Sequence, residues 1–390
     1  MKTLKPFLSS VSRILLVALM TLAAAGTTAE AARAFPPAII AADGLFDHTN
    51  TRDFGLPMVA SERVEIYVAR DDNWTFCHTP NLVEFEGRLY LMWSNGKVDE
   101  DAAGQRLLVS VSHDGIRWSE PAVLLEPSMI SDDPETSLMS AGFTVVDGTL
   151  TAYTTVSAGR KFAAPGSTSL WASDSRDGRT WGKPYRVTDG LFLEPPQRVD
   201  GGWVLLGQGD GRMPRFLHSG DPGMPRNWTE ATVSGAPTPG DWPEPSLFVR
   251  ADGTLVATIR AHRRLGFILY AAESRDGGRT WQAGPTNFPD AIARVAAGNL
   301  PDGTAYLAGN PNPVLRGRDV LAISLSRDGR TFDRAFALLV EPPPLKYPGH
   351  AKFAGWQYPS VLVRGGYVHV AYSVGKEDIG VLRFPLSALD

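Results

Sequence analysis

The chain has one cysteine in 390 residues, Cys77. No disulfide can form within it, so packing and hydrogen bonding must hold the fold together, and a lone thiol of this kind reads as a buried spectator. An excess of one charge is also missing. Lys and Arg number 38 against 42 Asp and Glu, a net charge of −4 without a basic run. A nucleic-acid partner would need a basic stripe, so none is expected. Histidines number only 7, and no His, Cys and carboxylate cluster has metal-ligand spacing. No cofactor is therefore expected, although loop carboxylates leave room for a structural calcium. Beyond the N-terminus no apolar run is long enough to span a bilayer, and no motif specifies an oligomeric state.

The N-terminus has its own pattern. Lys2, Lys5 and Arg13 precede an apolar stretch from Ile14 to Ala25, followed by Ala29-Glu30-Ala31. A positive n-region, a short apolar h-region and a small-x-small site predict a secretory signal over 1–31 and a secreted or periplasmic protein. Residues 32–390 are then expected to form one domain.

What the sequence has in abundance is turn residues, 39 Gly and 30 Pro, and a recurring hairpin signature. Ser274-Arg275-Asp276-Gly277-Gly278-Arg279-Thr280-Trp281 has shorter copies at Ser112-His113-Asp114-Gly115 with Trp118, at Ser175 to Trp181 and at Ser326 to Phe332. A fifth copy, Ser219-Gly220-Asp221 running to Trp228, is stretched by an insertion. In each, a short carboxylate can accept hydrogen bonds from the amides of its own turn, and the glycine supplies a positive φ. Before each box lie two alternating apolar runs joined by a tight turn, such as Asn81 to Phe85, Glu86-Gly87, and Arg88 to Trp93. A last unit from Tyr358 to Phe384 has no box. Six such β-rich units predict an all-β, six-bladed propeller, because one four-stranded unit cannot bury both its faces alone. The segments from Pro37 to Ala42 and from Val64 to Val68 are the expected outer strands that close the last blade.

Long loops interrupt the units at Asp99 to Gln105, Pro127 to Glu135, Pro237 to Pro243 and Glu341 to Gly355. Loops of such length in a compact fold carry function or move. Inner strands of a propeller start at one mouth of the channel, so Thr75 to Asn81, Asp241 to Glu244 and Trp356 to Ser360 are expected to converge there.

The boxes resemble the Asp-box repeats of the sialidase superfamily over nearly all of the chain after its leader. Glu244-Pro245-Ser246-Leu247 through Asp252-Gly253 to Arg260 is similar to the sialidase segment with the glutamate that activates the catalytic tyrosine and an arginine of the carboxylate-binding triad. Asn310-Pro311 leading to Arg316 resembles the segment of another triad arginine, with Arg318 as its rival. Tyr358-Pro359-Ser360-Val361-Leu362 resembles the place of the nucleophile. The resemblance implies a glycan or polysaccharide substrate bearing a carboxylate, Tyr358 as nucleophile, Glu244 as its base, and Arg260 and Arg316 as clamp. It places the acid among Asp99, Glu100 and Asp101, with Asp101 preferred by position. Such tyrosine nucleophiles are an exception to the paired-carboxylate rule of glycosidases.

The departure is at the first blade. Where sialidases carry an Arg-Ile-Pro segment, this chain reads Phe76-Cys77-His78-Thr79-Pro80, and His78 replaces one clamp arginine. Arg106 or Arg263 is left to compensate. A second resemblance, to seven-bladed lyases acting on uronate polysaccharides, runs from His78-Thr79-Pro80 to Trp93-Ser94-Asn95-Gly96. It implies a β-elimination in which Asn95 or an arginine neutralises the carboxylate and His78 or Tyr358 takes the α-proton, with His350 and Lys352 completing the set. The box count favours six blades and ranks the hydrolase first. A glycan-binding propeller without turnover is the third reading.

Overall fold

In the computed structural model each sequence unit is a four-stranded antiparallel sheet, and six such sheets follow one another along the chain. The structure describes residues 36–158, 166–235, 243–260 and 266–390. The expected leader over 1–31, Asp241 and Arg263 lie outside them. Pro37–Asp390 forms one compact unit.

The first blade is Phe76–Phe85, Arg88–Gly96, Arg106–Ser112 and Ala122–Leu125, paired in that order. Blades two to five begin at Thr136, Gln197, Ser246 and Ala296. The fourth gains an extra strand, Thr232–Ser234, parallel to Thr280–Pro289. The sixth runs Trp356–Arg364, Tyr367–Val374 and Asp378–Pro385, and Glu62–Tyr67 completes it antiparallel to Asp378–Pro385. A strand from the start of the unit thus closes its end, as Val64 to Val68 suggested. The Pro37 to Ala42 segment goes elsewhere: Ile40–Ala41 pairs parallel with Thr331–Phe332 of blade five. Its side chains explain why, since Ile39 and Ala41 are buried with Phe248 and Phe332 between blades four and five.

The tight turns have the backbone that their residues allow. Glu86 and Gly87 stand at φ 47° and 68°, and Asp147 and Gly148 at 48° and 68°. Two successive positive φ values are the type I′ geometry that matches the twist of a two-residue hairpin. In all five boxes the aspartate accepts from amides of its own turn. Asp276 takes Arg279 N at 3.1 Å and Thr280 N at 2.9 Å. Asp221, despite the insertion, takes Arg226 N at 2.7 Å and Asn227 N at 2.9 Å. Trp281 folds back so that its Nε1 donates to Gly278 O at 2.9 Å.

Box glycines also fasten neighbouring blades. A Cβ on Gly178 of blade two would stand 2.1 Å from the Tyr90 hydroxyl of blade one, and one on Gly278 of blade four 2.3 Å from Val204 of blade three. Between every pair of adjacent blades lies an apolar cluster; Tyr90 and Met92 meet Leu138 and Phe143 between blades one and two. Cys77 is buried in the cluster between blades six and one, and burial pushes its thiol pKa far up. Among the described residues no helix is long and apolar enough to cross a membrane.

Candidate active site

The inner strands of blades one and six are irregular at matching places. Pairing of Phe76–Phe85 with its neighbour shifts between His78 and Asn81, and that of Trp356–Arg364 between Gln357 and Ser360. Such bulges re-aim a side chain. Thr79 and Tyr358 sit in them at φ 47° and 52°, and for a bulky residue positive φ is a real cost. The bulges turn His78, Thr79 and Tyr358 toward a cavity of about 470 Å³. Among the described residues, seven of the twelve non-glycine residues with positive φ line it: Thr79, Asp101, Arg212, Ile292, Arg316, Tyr358 and Lys376. Strained backbone of this kind clusters at active sites and ligand clamps, which makes this cavity the candidate site.

Three side chains form the centre. The Tyr358 hydroxyl donates to Glu244 Oε1 at 2.6 Å. Arg260 Nη1 donates to Glu244 Oε2 at 2.8 Å and to the Tyr358 oxygen at 3.1 Å. Burial, reinforced by the charge of Glu244, raises the Tyr358 pKa well above that of a free phenol, although Arg260 and Arg318 pull it down. The phenol is therefore neutral at rest and hydrogen-bonded to a carboxylate that can take its proton.

His78 packs its ring on Tyr358, with centroids 3.9 Å apart. Its Nε2 lies 3.4 Å from Glu100 Oε1, and among the described residues neither ring nitrogen has a hydrogen-bond partner. Burial, and then the charges of Lys376, Arg318, Arg294 and Arg260, push its pKa well down. The imidazole is neutral.

Arg316 and Arg318 both line the cavity, but only the second is buried. Arg316 is exposed and lays its guanidinium over Phe353 at 3.7 Å. Arg318 is held by the Gln357 side chain and by the Ile292 carbonyl at 3.0 Å, with its guanidinium 5.7 Å from the Tyr358 ring centroid. The arginine against the tyrosine is Arg318 and not Arg316.

The first long loop divides its three carboxylates. Asp99 accepts from His350 N at 3.0 Å and Ala351 N at 3.2 Å, which ties this loop to 341–355. Glu100 pairs with Lys376 Nζ, both oxygens at 2.6 Å. Asp101 lines the cavity and is bonded by Gln105 Nε2 at 3.4 Å.

Four expected site residues do not line the cavity. Asn95 is buried on the Phe76 carbonyl at 3.2 Å and accepts from Arg106 Nε at 3.1 Å. Arg106 lies over Trp74 at 3.8 Å. His350 is exposed, and Lys352 is buried against Glu377 at 3.4 Å. In each case the adjacent residue lines the cavity instead: Ser94, Gln105, Ala351 and Phe353. Asn95 and Arg106 lie on strands, where neighbours point to opposite sides and a one-residue error of parity moves a side chain to the wrong face; His350 and Lys352 lie in the irregular loop before Trp356–Arg364.

Sequence reasoning missed Lys376, which reads as part of a charged turn. It is 4% exposed and lines the cavity. The apolar wall of Met139, Leu191 and Leu193 was missed too. Five cations, Arg212, Arg260, Arg316, Arg318 and Lys376, face three carboxylates, Glu100, Asp101 and Glu244, so the cavity suits an anion. Among the described residues no group of three or more His, Cys, Asp and Glu is arranged to hold a metal.

Six blades, five of them with an Asp-box hairpin, and an arginine-rich cavity at a bulged tyrosine define a sialidase-like propeller. The comparisons agree: residues 87–370 match the BNR repeat-like domain, and the chain belongs to that family. Solved structures with the same fold include a sialidase (TM-score 0.65, 20% identity, 89% of this chain and 35% of that one). Another is a mutant of Trypanosoma rangeli sialidase displaying trans-sialidase activity (0.63, 14%, 85% and 60%). A third is the NanB sialidase of Streptococcus pneumoniae (0.64, 13%, 88% and 73%). The chain thus spans between about a third and three-fifths of the first two. No curated protein matches the sequence.

Proposed function

We propose that the protein is an exported glycoside hydrolase that removes an acidic, carboxylate-bearing sugar from a glycan or polysaccharide. The observation that carries this reading is the joint hydrogen bonding of Tyr358, Glu244 and Arg260. An anomeric centre beside a carboxylate repels an anionic nucleophile, whereas a phenol stays neutral until its proton leaves. The Tyr358 oxygen attacks the anomeric carbon as its proton passes to Glu244. The bond to the leaving oxygen breaks as Asp101 protonates that oxygen. Water then gives a proton to Asp101 and attacks the same carbon, and the phenol departs with the proton from Glu244. Arg260 and Arg318 hold the sugar carboxylate, since guanidinium forks match it in shape and charge.

The lyase reading has less support. Of His78, Asn95, His350, Lys352 and Tyr358, only His78 and Tyr358 meet at the cavity. A neutral His78 against Tyr358 still favours it as the second reading. Product analysis separates them: a hydrolase yields a reducing sugar, a lyase an unsaturated uronate that absorbs in the ultraviolet. His78→Ala should cripple elimination more than Glu244→Gln does, and hydrolysis should show the reverse order.

A further inference from the structure

Lys376 is a buried ammonium in a cavity that must open to a ligand. The ammonium donates to the two oxygens of Glu100, at 2.6 Å each. The turn that carries it is held in place from two sides: Cys77 N donates to Lys376 O and Gly375 N to Gly355 O, both at 2.9 Å. Lys376 keeps φ at 62° within that turn. The anchored, left-handed backbone aims the ammonium at the site, 5.9 Å from the Tyr358 ring centroid and 5.8 Å from that of Phe353. Glu100 differs in setting. It belongs to the irregular loop between Arg88–Gly96 and Arg106–Ser112, and its side chain keeps 24% exposure against 5% for Lys376.

We propose that Lys376 binds the anionic group of the substrate, supplying the cation that His78 does not, and that Glu100 is its resting counter-ion, displaced when the substrate enters. This rests on the reading of the cavity as an acidic-sugar site. A buried ammonium without a counter-ion is costly, so an empty site needs a carboxylate of its own. Burial lowers the Lys376 pKa, and Glu100 opposes that shift. The substrate carboxylate takes over the same role, and Glu100 swings toward solvent through the opening that it already faces. Arg260 and Arg318 then share the anion with Lys376. A neutral sugar cannot displace Glu100, which makes the pair a selectivity device as well as a binding one.

The test is calorimetric binding of N-acetylneuraminic, D-glucuronic and D-galacturonic acids to wild type, Glu100→Gln, Lys376→Gln and the double variant. The double variant leaves no buried unpaired charge, so it guards against misfolding of the single one. Lys376→Gln and the double variant should weaken the best acid by about ten- to a hundredfold, the loss of a charged hydrogen bond. Glu100→Gln should tighten it several-fold. If Arg260→Gln weakens the acid while the Lys376 and Glu100 variants bind as wild type does, this proposal falls and the hydrolase reading stands. If wild type binds none of the acids, both fall.

Discussion

The Tyr358 hydroxyl and Glu244 Oε1 lie 2.6 Å apart although 114 residues separate them in sequence. That contact depends on blades four and six presenting the starts of their inner strands to one cavity, and on the bulge that turns Tyr358 into it. The catalytic proposal stands on this one distance more than on any other.

Kinetics should separate the two partners. Tyr358→Phe is expected to remove hydrolysis, lowering kcat at least about a thousandfold, with ligand affinity kept. Glu244→Gln is expected to lower kcat by about 10²–10⁴-fold, the usual range for a lost general base. Steady-state rates with calorimetric affinities check both.

The Arg260 and Glu244 side chains are only 9% and 10% exposed. Arg260→Met therefore leaves Glu244 buried without its cation and should cost about 3–5 kcal/mol in urea unfolding. Arg260→Met with Glu244→Leu should regain much of that loss while staying inactive.

His78 provides a pH prediction. Its folded pKa lies well below that of a free imidazole, because of burial and then the charges of Lys376, Arg318, Arg294 and Arg260. The folded chain thus binds fewer protons than the unfolded one below about pH 6.5, so this contribution to stability is complete above that pH and is lost as pH falls. Nitrogen NMR should show a neutral ring at about pH 6.5, where a free imidazole is half protonated, and His78→Phe should flatten the stability profile below that pH. A titration midpoint near the free value would refute this.

Much of the fold was legible because it is local and repeated. A box needs its aspartate, glycine and aromatic a few residues apart, and those spacings read directly from sequence. The pairings of Glu244, Arg260 and Tyr358 were legible only through the sialidase resemblance. Which neighbouring side chain faces the cavity was not: Asn95 and Arg106 stand on strands while Ser94 and Gln105 beside them line it, and His350 and Lys352 lie in an irregular loop that has no fixed alternation. Arg316 and Arg318 look alike in sequence; what separates them is that Arg318 reaches Gln357 and the Ile292 carbonyl. Lys376 in Gly375-Lys376-Glu377-Asp378 resembles any solvated turn. Only loops brought over it from elsewhere bury it.

The boxes test the architecture separately from the chemistry. Gly278 has φ 87°, and a Cβ there would stand 2.3 Å from Val204 Cγ1. Gly278→Ala should destabilise by about 1–3 kcal/mol through overpacking between blades three and four. Activity per folded molecule should not change, since this hairpin does not line the cavity.

The most direct test is turnover of a panel of chromogenic glycosides of sialic, glucuronic and galacturonic acids, with the neutral glucoside and galactoside beside them, by wild type and Tyr358→Phe. The account predicts release from at least one acidic glycoside, none from the neutral ones, no ultraviolet-absorbing uronate, and no release by Tyr358→Phe. Equal turnover by Tyr358→Phe, or release from the neutral glycosides alone, would contradict it.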